Sequence, residues 1–255
     1  MSFGISEELL PVFVPIVTYW IAAGIYNLVS IPDEKHKLFS KEEETQNLAT
    51  RHQVFVGVVV NQAVQMALAA IYFMNAGGKA AAAATPPPSL LRIAGQLASA
   101  MLIMDALEYI WHRWTHENRF LYKHVHAMHH QLIVPYAYGA QYVHPMDSLV
   151  GEVFGGLIAT FFSGMSPTTA AVFFSLLSIK AVDDHCGLWF PNHPIHRFML
   201  NNAAFHTVHH QHYGVKHNYS VHFLATWDLL LGTYLPYSVE ERKGGGYEIR
   251  TPKNY

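Results

Sequence analysis

The sequence has little charge. Asp, Glu, Lys and Arg make up only 13% of its 255 residues, against roughly 25% in soluble domains, which leaves too little polar surface to cover a globule of this size. The formal net charge is -2, so no basic excess exists to displace counterions from a nucleic-acid backbone. A single cysteine, Cys186, excludes an intramolecular disulfide framework and any cysteine-only metal site. Hydrophobic residues, at 51%, and 18 histidines are what the chain has in excess. The first makes a membrane protein the expectation, and the second needs a chemical reason.

The apolar residues fall in long runs. Leu9 to Ile31 carries no charge and as a helix would be about 35 Å long, enough for a hydrocarbon core of about 30 Å. It lacks the basic start and small-residue cleavage site of a signal peptide, so it reads as an anchor. Val54 to Met74 is a second run, with Asn61, Gln62 and Gln65 expected to face other helices. Leu90 to Trp111 is a third, with Asp105 and Glu108 near its end. Leu149 to Ile179 is too long for one ordinary helix, and Gly164-Met165-Ser166-Pro167 supplies a turn in its middle. It is expected to form a short membrane hairpin of two helices, 149–163 and 167–181. Lys79 to Pro88 reads as a low-complexity connector, and the segment after Pro236, with Gly244 to Gly246, as a loosely ordered end.

The fold class that follows is an all-α integral membrane protein with three spanning helices, the hairpin and a helical cap. Residues 1–89 form the N-terminal anchor region, 90–236 the catalytic domain and 237–255 the tail. With three crossings and a hairpin, residues 32–53, 112–148 and 180–255 share a side. They hold 14 Lys and Arg, against 2 in 1–8 and 75–92, so the cap is placed in the cytosol by the positive-inside rule. The sequon Asn218-Tyr219-Ser220 should then stay unglycosylated.

Sixteen of the histidines lie between His112 and His222, all on that side. Three groups repeat a spacing: His112-Arg-Trp-Thr-His116, His126-Ala-Met-His129-His130 and His206-Thr-Val-His209-His210. Positions i, i+3 and i+4 share one helical face, so each group is expected to aim its rings at one point. Neutral imidazole is a common ligand for first-row metals. Eight such nitrogens exceed the needs of one ion and suit two. HRWTH lacks the glutamate base of a zinc-hydrolase HExxH, and no Glu-x-x-His pairs of the ferritin-like kind lie among these groups. An all-imidazole dinuclear centre at a membrane face points to oxidative chemistry on a lipid.

HRWTH, HAMHH and HTVHH, with the hydrophobic runs around them, resemble the three histidine boxes of the membrane fatty acid hydroxylase superfamily. Within it, Val143-His144-Pro145-Met146-Asp147, Asp183-Asp184-His185-Cys186-Gly187 and Trp227-Asp228 to Gly232-Thr233 are similar to the plant-type sphingoid base C4-hydroxylases. The resemblance implies a two-iron oxygenase of the endoplasmic reticulum. It would use dioxygen, and electrons from NADPH through a separate cytochrome b5 and reductase, to hydroxylate carbon 4 of sphinganine or its ceramide. Sterol desaturases and sterol methyl oxidases share the boxes and are the alternative enzymes. A membrane metal transporter is the non-enzyme alternative, disfavoured because nearly all histidines lie after the crossings.

By the same resemblance the box histidines His112, His116, His126, His129, His130, His206, His209 and His210 are the catalytic metal ligands. Related hydroxylases add one or two more between the second and third boxes; His185 is the expected ninth, with His144 or His193 as a tenth or as bystanders. His124, His212, His217 and His222 are second-layer or surface residues, and His36 and His52 are remote. Asp105 and Glu108 lie on the stripe of His112 and His116, so they are read either as acceptors for the ligands' other ring N–H or as a polar contact between helices. Asp183 and Asp184 are read as similar acceptors or as helix caps. Tyr109, Trp111 and Trp114 are read as interfacial anchors rather than substrate contacts.

Overall fold

The computed structural model describes residues 7–76 and 88–252; the connector read over Lys79 to Pro88 lies almost wholly outside them. A 3₁₀ turn, Glu7–Leu9, leads into helix α1, Leu10–Ser30. Its start suits Pro11, whose missing N–H costs nothing in a first turn. Tyr19 and Ala23 are buried, whereas Val17, Ile21, Ile25 and Leu28, spaced along one stripe, are 56–69% exposed. A helix whose outward face is aliphatic belongs in lipid.

After the short α2, Lys41–Glu44, closed by a Ser40/Glu43 capping box, comes α3, Arg51–Ala76. The amides inside it face neighbouring helices, as expected. Gln62 accepts from Trp20 Nε1 at 2.8 Å and donates to Gln141 Oε1 at 2.7 Å, and Gln65 donates to Ser148 Oγ and Glu152 Oε2 at 2.6 and 2.9 Å. Asn61 is buried as well.

Helix α4, Leu90–Glu117, starts at a Ser89 cap and is followed by one turn, α5, Arg119–Leu121. Helix α6, Pro145–Ser148, a π-helical stretch Leu149–Phe154, and α7, Gly155–Ser163, run on continuously. The turn at Gly164 has φ +64°, a conformation glycine adopts without penalty. Gln96 of α4 donates to the Gly164 carbonyl at 2.6 Å, and α8, Pro167–Asp184, then returns behind a Ser166 cap. The hairpin is therefore longer than expected, 145–163 and 167–184. Its first arm extends back through the π-helix to His144, whose Nδ1 accepts from the Met146 N–H.

Three helices among the described residues are long and apolar enough to cross a membrane: Glu7–Ser30, Leu90–Glu117 and Pro145–Ser163. The chain is a membrane protein. Helix α1 packs along α8, and α4 against α7. One core, including Tyr19, Val54, Val58, Leu132, Tyr142 and Val182, joins α1, α3 and α8 to the loop after the second box. Another, including Ala100, Met104, Ala159 and Phe173, fills the space between α4 and the hairpin.

The remaining elements form the cap: α9, Pro194–Phe198, α10, Ala203–His210, and α11, Thr226–Leu231. One feature here corrects the sequence reading. Residues after Pro236 are not a loose end but an antiparallel hairpin, β1 Ser238–Glu241 and β2 Tyr247–Arg250, which adds a small sheet to an otherwise all-α fold. Val239, Tyr247 and Ile249 pack on Leu38, Cys186 and Leu188, and the Tyr247 N–H donates to the Lys37 carbonyl. Asn218 and Ser220 are buried, with Asn218 bonded to the Phe205 carbonyl and the Leu235 N–H. The sequon is thus part of the folded core beneath α10.

Candidate metal centre

The histidines converge where the C-terminal ends of α4 and α8 meet the start of α6. His112 and His116 lie on the last turns of α4, His185 caps α8, and His206, His209 and His210 lie on α10. The second box is not α-helical: Tyr122–His126 is a π-turn and His129–Gln131 a 3₁₀ turn.

Nine histidines form two groups, His112, His116, His126, His130 and His209 in one, and His129, His185, His206 and His210 in the other. All nine are buried. Each box was expected to aim at one point, and the structure corrects this: the second and third boxes each serve both groups. The i, i+4 pairs, His112/His116, His126/His130 and His206/His210, stay together, and the remaining His129 and His209 cross over. Successive residues on a helix differ by about 100° in direction, so each His-His dipeptide spreads across two foci. The groups abut, with the His130 and His210 rings 4.9 Å apart.

Within the first group, Nε2 atoms approach one another at 3.1–3.2 Å: His112 to His126, His112 to His116, His116 to His130 and His126 to His130. In the second the spacing is 3.0–3.2 Å, for His129 to His185, His185 to His206 and His206 to His210. Several rings have a fixed tautomer. Nδ1–H of His112 donates to the Tyr219 carbonyl at 2.7 Å, that of His129 to Tyr142 at 3.2 Å, that of His185 to Ala181 at 2.8 Å and that of His209 to His217 at 2.7 Å. A carbonyl only accepts, so these Nδ1 atoms hold the ring proton and their Nε2 atoms present lone pairs.

His129 and His185 thus point two lone pairs at each other, and His209 Nε2 is buried with no partner. Burial, helped by neighbouring rings, holds His129, His130, His206, His209 and His210 well below the usual histidine value and pushes His185 down to about 4, so protons do not resolve the conflict near neutrality. A metal cation does. Nitrogens about 2.1 Å from one ion stand about 3.0–3.4 Å apart, which matches the observed spacing. The donor set fits a metal in each group.

His144 and His193 are not brought into either group. His144 caps α6, and His193 packs edge-on against His196. His222 is buried and pairs with Glu108 at 2.8 Å. Burial pushes His222 down, but the Glu108, Asp105 and Asp184 carboxylates outweigh that and raise it. Asp105 and Glu108 therefore do not accept from the ligands; their neighbour is His222, which leaves the polar contact between elements as the correct reading. Asp184 pairs with the fully buried Lys180 at 2.5 Å, and Asp183 accepts from Tyr26 Oη and His196 Nε2 at 2.5 and 3.1 Å. Neither aspartate contacts a cluster histidine or caps α8. His36 pairs with Asp33, while His52, His124 and His212 are exposed.

Three site residues were not singled out from the sequence. Asp147 accepts from His126 Nδ1 at 2.6 Å and Trp111 Nε1 at 2.7 Å; it stood in the quoted VHPMD motif without a role. Asp228, quoted in the Trp227-Asp228 motif likewise without a role, accepts from the backbone of Tyr219 and Ser220 and from Thr233 Oγ1, so it shapes the loop whose Tyr219 carbonyl holds His112. His196 has no pattern in sequence to mark it. Of the three aromatics read as anchors, only Trp114 is exposed; Tyr109 is buried and bonds Thr233. A cavity of about 560 Å³ opens between the end of α1 and the loops 134–137 and 186–188, but no cluster histidine lines it.

A bundle of apolar helices with a nine-imidazole cage at one end defines a class of membrane-bound metal oxidoreductase, and the comparisons agree. The fatty acid hydroxylase family model matches residues 97–233, more than half of the chain. The chain belongs to the fatty acid hydroxylase family, whose members are iron-dependent oxidoreductases. It is 50% identical to sphinganine C4-monooxygenase 2 of Arabidopsis thaliana over 99% of this chain and 98% of that one. It is 45% identical to a very-long-chain aldehyde decarbonylase of Oryza sativa subsp. japonica, over 96% of both chains. With the sphingolipid C4-hydroxylase of Saccharomyces cerevisiae it shares 30% identity over 89% of this chain and 72% of that one. No solved structure matches the chain.

Proposed function

We propose that the chain is a sphingolipid C4-hydroxylase, a monooxygenase that places a hydroxyl on carbon 4 of sphinganine or its ceramide and yields trihydroxy long-chain bases. The observation that carries the reading is the pair of abutting histidine groups with bare Nε2 atoms facing inward, in a chain similar over its length to relatives named for that reaction. His112, His116, His126, His130 and His209 would hold one iron, and His129, His185, His206 and His210 the other. When bound, the irons supply the redox chemistry that activates dioxygen for attack on an unactivated methylene.

The protein's part is orientation and exclusion of water. The carbonyls of Tyr219, Tyr142, Ala181 and His217 fix ring tautomers, and Asp147 with Trp111 fixes His126. Such partners set ligand direction and basicity. Burial of all nine rings keeps bulk water from the centre. The site lies at the end of the bundle, where a lipid carbon near the headgroup reaches it while the alkyl tail stays among apolar helices. Carbon 4 of a sphingoid base sits at that depth. The basic-residue asymmetry supports a multi-pass topology with this end in the cytosol, in the endoplasmic reticulum membrane. There a separate cytochrome b5 and its reductase would deliver electrons from NADPH, and each turnover uses dioxygen, two electrons and two protons and releases water.

Expression in cells lacking sphingoid C4-hydroxylation, followed by long-chain base profiling, tests this. Trihydroxy bases are expected. Their absence from cells holding iron-loaded protein contradicts the assignment, and alkane formation from a supplied very-long-chain aldehyde would move it toward the rice relative.

A further inference from the structure

Six carboxylate side chains are buried among the described residues: Asp105, Glu108, Asp147, Asp183, Asp184 and Asp228. One ammonium, Lys180, is buried with them, and no arginine is. Buried charges are normally paired, so this excess requires a reason. Position supplies one, because five of the six lie on or against a segment that carries a cluster histidine, and the sixth, Asp228, holds a loop that one of those histidines contacts.

Asp105 and Glu108 precede His112 on α4 by seven and four residues. Asp147 accepts from His126, and Asp183 and Asp184 directly precede His185. Asp228 holds the Tyr219 loop to which His112 donates. The chain's other twelve acids are exposed or half-buried.

The histidine cage has the complementary deficiency. Its nine imidazoles are neutral ligands, so two divalent ions held by them would keep their full charge in a site closed to water. Lys180 pairs with Asp184 and His222 with Glu108, and no second Lys or Arg is buried among the described residues to face the other carboxylates. Three of the buried oxygens, Asp105 Oδ2, Asp183 Oδ2 and Asp184 Oδ2, have no hydrogen-bond partner.

We infer that the six buried carboxylates are the counter-charge of the metal centre: they act through space on ions ligated by histidine alone, and so set the centre's affinity and reduction potential. This rests on the metal-centre reading above and adds positioning residues that touch no substrate. Asp105 is the sharpest case, since it contacts no cluster histidine and its charge has no direct partner but the His222 region.

The test uses the full-length chain in detergent at pH 8, with Asp105→Asn, which removes charge at constant shape, and Asp105→Glu, which restores it. Glu108→Gln serves as a second charge-removing variant if the first does not fold. Iron is competed against a chelator, the midpoint potential is recorded, and thermal midpoints are taken before and after metal removal. Loss of one counter-charge predicts about tenfold weaker iron binding, a higher potential, and a metal-free form that melts above metal-free wild type, all reversed in D105E. A structural contact alone would lower both melting points and leave affinity and potential unchanged, which overturns the inference. A wild-type chain that binds no iron would instead defeat the metal-centre reading itself.

Discussion

Asp147 holds two site side chains at once, the ring of His126 and the indole of Trp111. Asp147→Ala should lower iron affinity by about 10- to 100-fold, the usual cost of losing such a partner, as read by chelator competition. His144→Ala should leave iron content unchanged, because that ring caps α6 and faces neither group. His185→Ala should lose iron from the four-histidine group. His185 is buried neutral with its value lowered from 6.5 to about 4, so the unfolded chain binds the proton more readily than the folded one. Its contribution to the stability of metal-free protein is present above about pH 6.5 and is lost as pH falls toward 4, which thermal melts across that range will show. Cys186 is buried and its thiol is pushed well up by burial; it should resist iodoacetamide at pH 8 until the protein unfolds. At this scale the box histidines were legible because their spacing repeats. Asp147, Asp228 and His196 were not, since a single acid or histidine carries no periodic signal until the fold brings its partner to it.

Helix α10 carries three of the nine histidines in eight residues, and its exit is held by a close backbone approach. A Cβ on Gly214 would lie 1.9 Å from the Val208 carbonyl oxygen, and backbone cannot give way as a flexible side chain can. Gly214→Ala should therefore shift α10, at a cost of about 1–3 kcal/mol by the usual scale of overpacking, with a lower thermal midpoint and reduced iron content measured together. The elements themselves were largely readable. Apolar runs with few or no charges marked α1, α3, α4 and both arms of the hairpin, and Gly164 with Pro167 marked its turn. The first arm was read as starting four residues late because Pro145 and Asp147 interrupt the apolar pattern, yet Pro at a first helical position is tolerated. The C-terminal strands escaped notice because three glycines dominated their composition, whereas it is the pairing of Val239 with Ile249 and the packing of both on Leu38 that orders them.

Across the whole molecule, apolar residues face outward along the bundle, and polar and charged side chains are concentrated inward at the histidine-bearing end. That inversion follows from the low charge of the sequence, and membrane character was evident from composition alone. How the histidines divide was not, because it depends on two adjacent rings pointing about 100° apart and on the second box adopting π and 3₁₀ turns in place of an α-helix. The division gives five nitrogen ligands to one focus and four to the other, which is the basis for a two-iron centre. Elemental analysis of the purified full-length chain, expressed with iron available, tests this most directly. The account predicts two irons per chain in the wild type and about one in His185→Ala; zinc in place of iron, or an iron content unaffected by that substitution, would contradict it.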